Sequence, residues 1–248
     1  SLPGHNLGRR DYQPGGTGSD QIYMQNGGSG FGAGGQLSLA NAELILSGNG
    51  NGIGNLSEFS MDSTNGHTVL NAVDGIADNN GAIQMAGINI DAIGNGNVEI
   101  WAKDMQVQDA LSMNGSQFKG SGHLVIDASQ AGSNDKGINL AGGLDINADG
   151  RGAVDFIGDV AVTGATGANS LKVADVNISD GVFKVAGQTL QLANGVTSVN
   201  TGGQVTYDFS GAANGLGLSK AAEFHPGVAA HKLATITLID ADGRPRQA

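Results

Sequence analysis

A short phrase recurs along most of this chain. Two apolar residues alternate with polar ones, a small or polar corner follows, and two more apolar residues alternate. It reads Ile83-x-Met85-Ala-Gly-Ile88-x-Ile90, then Val98-x-Ile100 with Met105-x-Val107. It returns as Ile138-x-Leu140 with Leu144-x-Ile146, as Val154-x-Phe156 with Val160-x-Val162, and as Leu171-x-Val173 with Val176-x-Ile178. A period of two marks a strand with one buried face. Strand, corner and strand, repeated, is how a chain writes a stack of coils. The phrase predicts an all-β, elongated parallel β-helix or β-solenoid. Phrases begin near residues 98, 111, 124, 138, 154, 171 and 183, an uneven spacing of 12 to 17. Two phrases per coil, or one and a half, both fit that spacing.

Composition agrees with a narrow stack. Only seven Phe, three Tyr and one Trp are present, so the core must be built from small aliphatic side chains. The 43 glycines and nine Asn-Gly pairs, Asn65-Gly66 and Asn114-Gly115 among them, mark tight turns between strands, since both residues tolerate positive φ. Four prolines and no triplet period exclude collagen. With 23 acidic against 12 basic residues the net charge is −11, which argues against nucleic-acid binding and offers oxygen ligands to hard cations. The absence of cysteine rules out disulfides and thiolate chemistry. No apolar run reaches the ~20 residues that span a bilayer. No signal peptide is visible at Ser1, and the chain reads as a mature product or an excised fragment.

Three regions follow. Residues 1–35 lack alternation and read as a Gly-rich arm or N-terminal cap. Residues 36–210 read as the solenoid body. Residues 211–248 read as a C-terminal cap, with a short helix capped by Ser219 through Glu223, a last strand Leu233-x-Thr235-x-Thr237-x-Ile239, and the turn Asp240-Ala-Asp-Gly243. The alternative fold is a β-sandwich subunit that donates the arm, residues 1–35, to a neighbour.

The segments Gly34-Gly-Gln-Leu-Ser-Leu39 and Ala234-Thr-Ile-Thr-Leu-Ile-Asp-Ala-Asp-Gly243 resemble phrases in the passenger regions of autotransporters and filamentous-haemagglutinin-like exoproteins. The resemblance covers residues 34–243. It implies a right-handed parallel β-helix exported to the bacterial surface, with a role in adhesion or biofilm structure. No haemagglutinin-type secretion motif and no membrane barrel is visible in the chain, and the resemblance assigns no catalytic residue.

Four acidic turns are candidate cation sites. Asp145-x-Asn147-x-Asp149-Gly150 matches the first half of a calcium loop, with oxygen side chains at alternate positions and a glycine at the turn. The match stops at Phe156, where an acidic residue is required. The competing reading makes Asp145 and Asn147 outward-facing polar residues of a strand. Gly15-Gly-Thr-Gly-Ser-Asp20-Gln-Ile-Tyr23 fits one nonapeptide of a calcium-binding β-roll, a motif that works only by stacking. Asp240 and Asp242, and Asp74, Asp78, Asn79 and Asn80, read as ordinary turns. The histidines His5, His67, His123, His225 and His231 show no metal-ligand spacing and read as surface or turn residues.

Parallel β-helices also host carbohydrate-active enzymes, lyases and glycoside hydrolases. These need converging carboxylates beside a basic residue, or a carboxylate pair at defined separation. Asp104, Asp109, Asp127, Asp145, Asp155 and Asp159 are the candidates, with Lys103, Lys136 and Arg151 as neighbours. Trp101, Phe118, Phe156 and Tyr207 are the available sugar platforms. The favoured expectation is a non-enzyme: an extracellular structural or adhesive protein, without membrane insertion, that self-associates or meets a host surface or glycan. Its binding loops would be 49–55, 74–81 and 129–136. No cofactor is expected, with calcium at Asp145, Asn147 and Asp149 as the one candidate. A strand-exchanging pilus or surface-layer subunit and a β-helix enzyme are the alternatives.

Overall fold

The computed structural model describes residues 20–24, 34–48, 56–75, 83–113, 122–163, 170–186, 191–192, 196–199, 204–208, 224–226, 235–239 and 245–247. The described elements are all strands, and the chain is a β-solenoid. The opening strands are β1 (Asp20–Met24), β2 (Gln36–Ala40) and β3 (Ala42–Gly48). Triplets follow: β4 (Glu58–Ser63), β5 (His67–Gly75) and β6 (Ile83–Met85), then β7 (Ile88–Ile93), β8 (Asn97–Ala102) and β9 (Asp104–Val107). Next come β10 (Leu111–Met113), β11 (His123–Ala128) and β12 (Gly137–Leu140), then β13 (Leu144–Asn147), β14 (Ala153–Gly158) and β15 (Val160–Val162). The last triplets are β16 (Ser170–Lys172), β17 (Asp175–Ser179) and β18 (Val182–Ala186), and β19 (Gln191–Leu192), β20 (Val196–Val199) and β21 (Gln204–Asp208). The chain closes on β22 (Phe224–Pro226), β23 (Thr235–Ile239) and β24 (Pro245–Gln247).

Each triplet places one strand in each of three parallel sheets. Sheet A runs β1-β3-β5-β8-β11-β14-β17-β20-β22, sheet B holds β2 and every third strand from β4, and sheet C holds β6 and every third strand to β21, then β23 and β24. A coil is therefore three strands, which is one and a half of the phrases read from sequence. The phrases look alike but span different corners: β6–β7 crosses from sheet C to B, β8–β9 from A to C, and β16–β17 from B to A.

The inward residues form aliphatic ladders along the axis. In sheet A, Leu44, Leu70, Ile100, Ile126, Phe156 and Ile178 stand in register, all essentially closed to solvent. In sheet C the row is Ile83, Met105, Ile138, Val160 and Phe183. Burying each such side chain stabilises the fold by roughly 1.5–3 kcal/mol. Phe156 and Phe183 stack inside the solenoid with ring centroids 4.2 Å apart and planes at 19°.

The corners explain the glycines. At the B-to-A corner, Gly96 N donates to Thr64 O, Asn97 N to Gly66 O, Gly122 N to Gly94 O and His123 N to Gly96 O, each at 3.0–3.2 Å. Successive turns thus sit one strand spacing apart. A Cβ on Gly96 would stand 2.0 Å from Gly66 O, and one on Gly122 would stand 2.4 Å from Gly96 O. These positions exclude a side chain by contact. Neither of these two has a positive φ, whereas Gly150 (75°) and Gly152 (69°) in the β13–β14 corner do.

Two stretches differ from the sequence reading. Asp20–Met24, inside the segment read as an arm, forms β1 and pairs parallel with β3. Thr235–Ile239 is a strand as expected, but β24 follows it and pairs antiparallel with it through Pro245. Antiparallel pairing and a proline both interrupt further growth of that sheet. The helix expected at 219–223 lies outside the described residues. No helix of the structure, among the described residues, is long and apolar enough to cross a membrane.

Candidate functional site

Strands of sheets B and C alternate buried and partly exposed residues, so their outer faces are wet. Sheet A differs. Its strands β8, β11 and β14 are buried at five or six consecutive positions. Both faces of this sheet are closed, the usual state of a parallel sheet covered on each side.

The outer face of sheet A carries buried polar groups in a checkerboard. One axial row reads Glu43, Val69, Glu99, Val125, Asp155 and Asn177. The row beside it reads Ile45, Asn71, Trp101, Asp127, Ile157 and Ser179. Polar and apolar residues alternate along the second row, and in opposite phase along the first from Glu43 to Asp155, where Asn177 then follows as a second polar residue. Acidic groups in the first row are two coils apart, about 10 Å at the strand spacing of roughly 4.8 Å. The intervening valines keep like charges from stacking on adjacent strands, where they destabilise.

Each buried carboxylate has donors. Asn71 Nδ2 donates to Glu43 Oε2 at 3.0 Å. Trp101 Nε1 donates to Glu99 Oε1 at 3.2 Å, Asn97 Nδ2 approaches Oε2 at 3.5 Å, and His67 Nδ1 lies 3.3 Å from Oε2. His123 Nδ1 lies 2.5 Å from Asp155 Oδ2, and Asn177 Nδ2 donates to Oδ1 at 2.8 Å. The side chains of Glu99 and Asp155 are 0% exposed, while those of His67 and His123 are 23% and 37% exposed. Buried charge is tolerated only when so satisfied. Asn71 and Asp127 play one further role in common: their Oδ1 atoms accept from the backbone two residues on, Val73 N and Ser129 N.

These residues repeat at 56. Glu43, Glu99 and Asp155 are 56 apart, as are His67 and His123, Asn71 and Asp127, and Gly96 and Gly152. The reason is that coils alternate in length: Val69 pairs with Glu99 thirty residues on, Glu99 with Val125 twenty-six on, and Val125 with Asp155 thirty on. The sequence phrases missed this unit. Aligning Gly66-His-Thr-Val-Leu-Asn-Ala72 with Gly122-His-Leu-Val-Ile-Asp-Ala128 exposes it. His67 and His123, read as surface or turn residues, are instead anchored on buried carboxylates.

The candidate cation loop is placed as follows. Asp145 and Asn147 point outward from β13, beside Ser112 and Ser170 and beside Lys172 respectively. Asp149 follows at φ 53°, and its N–H donates to Asn147 Oδ1 at 3.4 Å. Among the described residues, no three His, Asp or Glu side chains converge as a metal site. The turns at 15–19 and 240–244, and His5 and His231, lie outside the described residues.

The carboxylates considered for catalysis are distributed. Asp127 and Asp155 are buried in sheet A, Asp145 lies on sheet B, and Asp104 opens β9 in sheet C. Asp109 and Asp159 sit at corners, where Asp159 Oδ1 accepts from Val182 N at 2.9 Å. Trp101 and Phe156 are fully buried, so neither offers an open sugar platform. Phe118 lies outside the described residues.

One loop read as a binding element is described in full. In 129–136, Gly132 N donates to Asp135 Oδ2 at 2.6 Å and Lys136 N to Asp104 Oδ1 at 2.5 Å. Burial pushes the Asp104 carboxyl above the usual carboxylate range, against the Lys136 N–H, and neighbouring Asp135 adds to the rise. The Gly132 N–H holds Asp135 below that range.

In comparisons with known proteins, no family model matches this chain, and neither does any curated protein or solved structure.

Proposed function

We propose that this chain is an exported structural or adhesive rod of a bacterial surface, displayed in the manner of the exoprotein passengers its strand phrases resemble. The observation that supports the reading is axial continuity. Parallel ladders run through all three sheets, with register shifts at β3–β5, β4–β7 and β20–β22, and strands such as β10 and β13 keep a wet outer face. Sheet B sets Ser38, Asn89, Ser112 and Asp145 at least partly exposed along one row, with Ser60 buried among them. Such a scaffold holds loops and side chains at fixed spacing without needing a reactive centre. The acidic net charge favours solubility and disfavours edge-to-edge pairing. Adhesion, biofilm contact and surface location belong to this proposal.

The test is imaging and attachment together. Purified chain should appear as short rods by negative-stain electron microscopy. Beads coated with it should retain on bacterial or host-cell layers above beads coated with an unrelated acidic protein. Compact particles, or rods with no added retention, overturn the reading.

A further inference from the structure

Sheet B carries a notch where it meets sheet C. Glu58 opens β4, Gly87 immediately precedes β7, and Ala110 immediately precedes β10. Their positions follow from the adjoining pairs, Ser60 with Asn89 and Ile88 with Leu111. Beyond the Glu58 side chain, the outer row therefore holds nothing larger than a methyl for two coils, about 10 Å. The resulting groove is lined by Ser57, Glu58, Gly87, Asn89, Asp109 and Ser112. A Cβ on Gly87 would come within 3.1 Å of Asp109 Cβ and 3.2 Å of Ala110 O, so a side chain there would fill it. Asp109 is held at the groove from below. Its N–H donates to Ala86 O, and Gly142 packs so closely that a Cβ would lie 2.0 Å from the Asp109 carbonyl carbon.

The chemistry of the walls selects a ligand class. Glu58 and Asp109 are both exposed, and among the described residues no cationic side chain lines the groove. Asn89 and Ser112 supply amide and hydroxyl groups, and Ser57, whose hydroxyl donates to Gly34 O and Gly35 O at 3.1 Å, can still accept; these groups match hydroxyl-rich ligands. The floor of Ala86, Gly87 and Ala110 is small and apolar, suited to the C–H face of a ring. We infer that this groove binds a saccharide bearing protonated amines, the ammonium groups paired with Glu58 and Asp109 and the ring hydroxyls with Asn89 and Ser112. The inference deepens the adhesive reading and rests on it for its biological sense. Uronate-type polysaccharides are disfavoured by like charge.

The probes are a glucosamine hexamer, an N-acetylglucosamine hexamer and a uronate hexamer, titrated calorimetrically in mildly acidic buffer. The glucosamine hexamer should bind at least tenfold more tightly than the acetylated one, and the uronate should not bind. Glu58→Gln and Asp109→Asn should each weaken glucosamine binding at least fivefold. The double variant Asp175→Asn/Asp180→Asn, which changes exposed charge away from the groove, should not. No glucosamine binding overturns the inference. So does equal binding of all three sugars, or equal losses in groove and control variants, the mark of bulk charge attraction. Sugar binding without bead retention leaves this site standing and removes the adhesive role, so the two failures are distinguishable.

Discussion

His123 Nδ1 stands 2.5 Å from Asp155 Oδ2, bridging β11 to β14, and His67 repeats the contact on Glu99 at 3.3 Å two coils earlier. With the imidazole proton on Nδ1, the ring donates and the carboxylate oxygen accepts in each pair. The pairs and their neighbours tie β3 to β5, β5 to β8, β11 to β14 and β14 to β17 by side chain as well as by backbone. A one-residue slip would move every carboxylate onto the apolar inner face. We read the checkerboard as the device that fixes the register of the stack.

Removing the Glu99 carboxylate should expose that device. Glu99→Ala leaves Trp101 Nε1–H and the Asn97 amide without their acceptor, and should cost about 2–4 kcal/mol. Glu99→Gln keeps an acceptor and should cost roughly half as much. Trp101 is the chain's only tryptophan, so urea unfolding followed by its fluorescence reads both values directly. Equal stability of Glu99→Ala and the parent would refute the role.

Two glycine substitutions separate contact from conformation. Gly96→Ala drives a Cβ into the Gly66 carbonyl and should destabilise by about 3 kcal/mol or more. Gly150→Ala meets nothing within 4 Å and has only its φ of 75° to strain, so about 1 kcal/mol is expected. Denaturant midpoints in the reverse order would contradict the stacked-corner account.

Phe156→Ala should be among the costliest core changes, about 3–5 kcal/mol, because it empties space between coils and removes the stack on Phe183. Phe183→Ala in the same background should then cost less than it does alone, since the partners share one contact. Strict additivity in the double-mutant cycle would argue that the rings do not touch.

Asp104 gives a pH-dependent prediction. Its folded carboxyl titrates above the ordinary value near 3.9, so ionisation is penalised in the fold. That penalty is absent below the unfolded value and grows as pH rises through the folded one. Asp104→Asn keeps an oxygen for the Lys136 N–H and should be more stable than the parent at neutral pH, by under about 1 kcal/mol given solvent screening. The gain should vanish near pH 3. Loss of stability at neutral pH would contradict the sign.

The wet strands were legible because alternation such as Ile138-x-Leu140 states which face is buried. The strands of sheet A were not legible in the same way. Val98-x-Ile100 and Val154-x-Phe156 announce strands and their inward faces, but not that the outward face is buried too, so Glu99 looks like any solvated acid. Asp145 and Asp155 illustrate the ambiguity: each sits on a strand between apolar neighbours, yet one faces outward and the other is closed. Which of the two an acid becomes depends on what covers its sheet, a long-range fact that local pattern does not contain. The Asn-Gly pairs marked corners correctly at Asn65-Gly66 and Asn95-Gly96. The reason there is the neighbouring coil's carbonyl, which a single-turn reading omits.

The most direct test of the stack uses its lack of cysteine. Ser112 and Asp145 are outward register partners on β10 and β13, thirty-three residues apart. Adjacent strands lie about 4.8 Å apart, within disulfide reach. The double variant Ser112→Cys/Asp145→Cys should close a disulfide on mild oxidation, read by mass and by gel mobility. Ser112→Cys/Asn147→Cys, two residues out of register, should remain reduced under the same conditions. Crosslinking of the second pair in preference to the first would contradict the register on which the account is built.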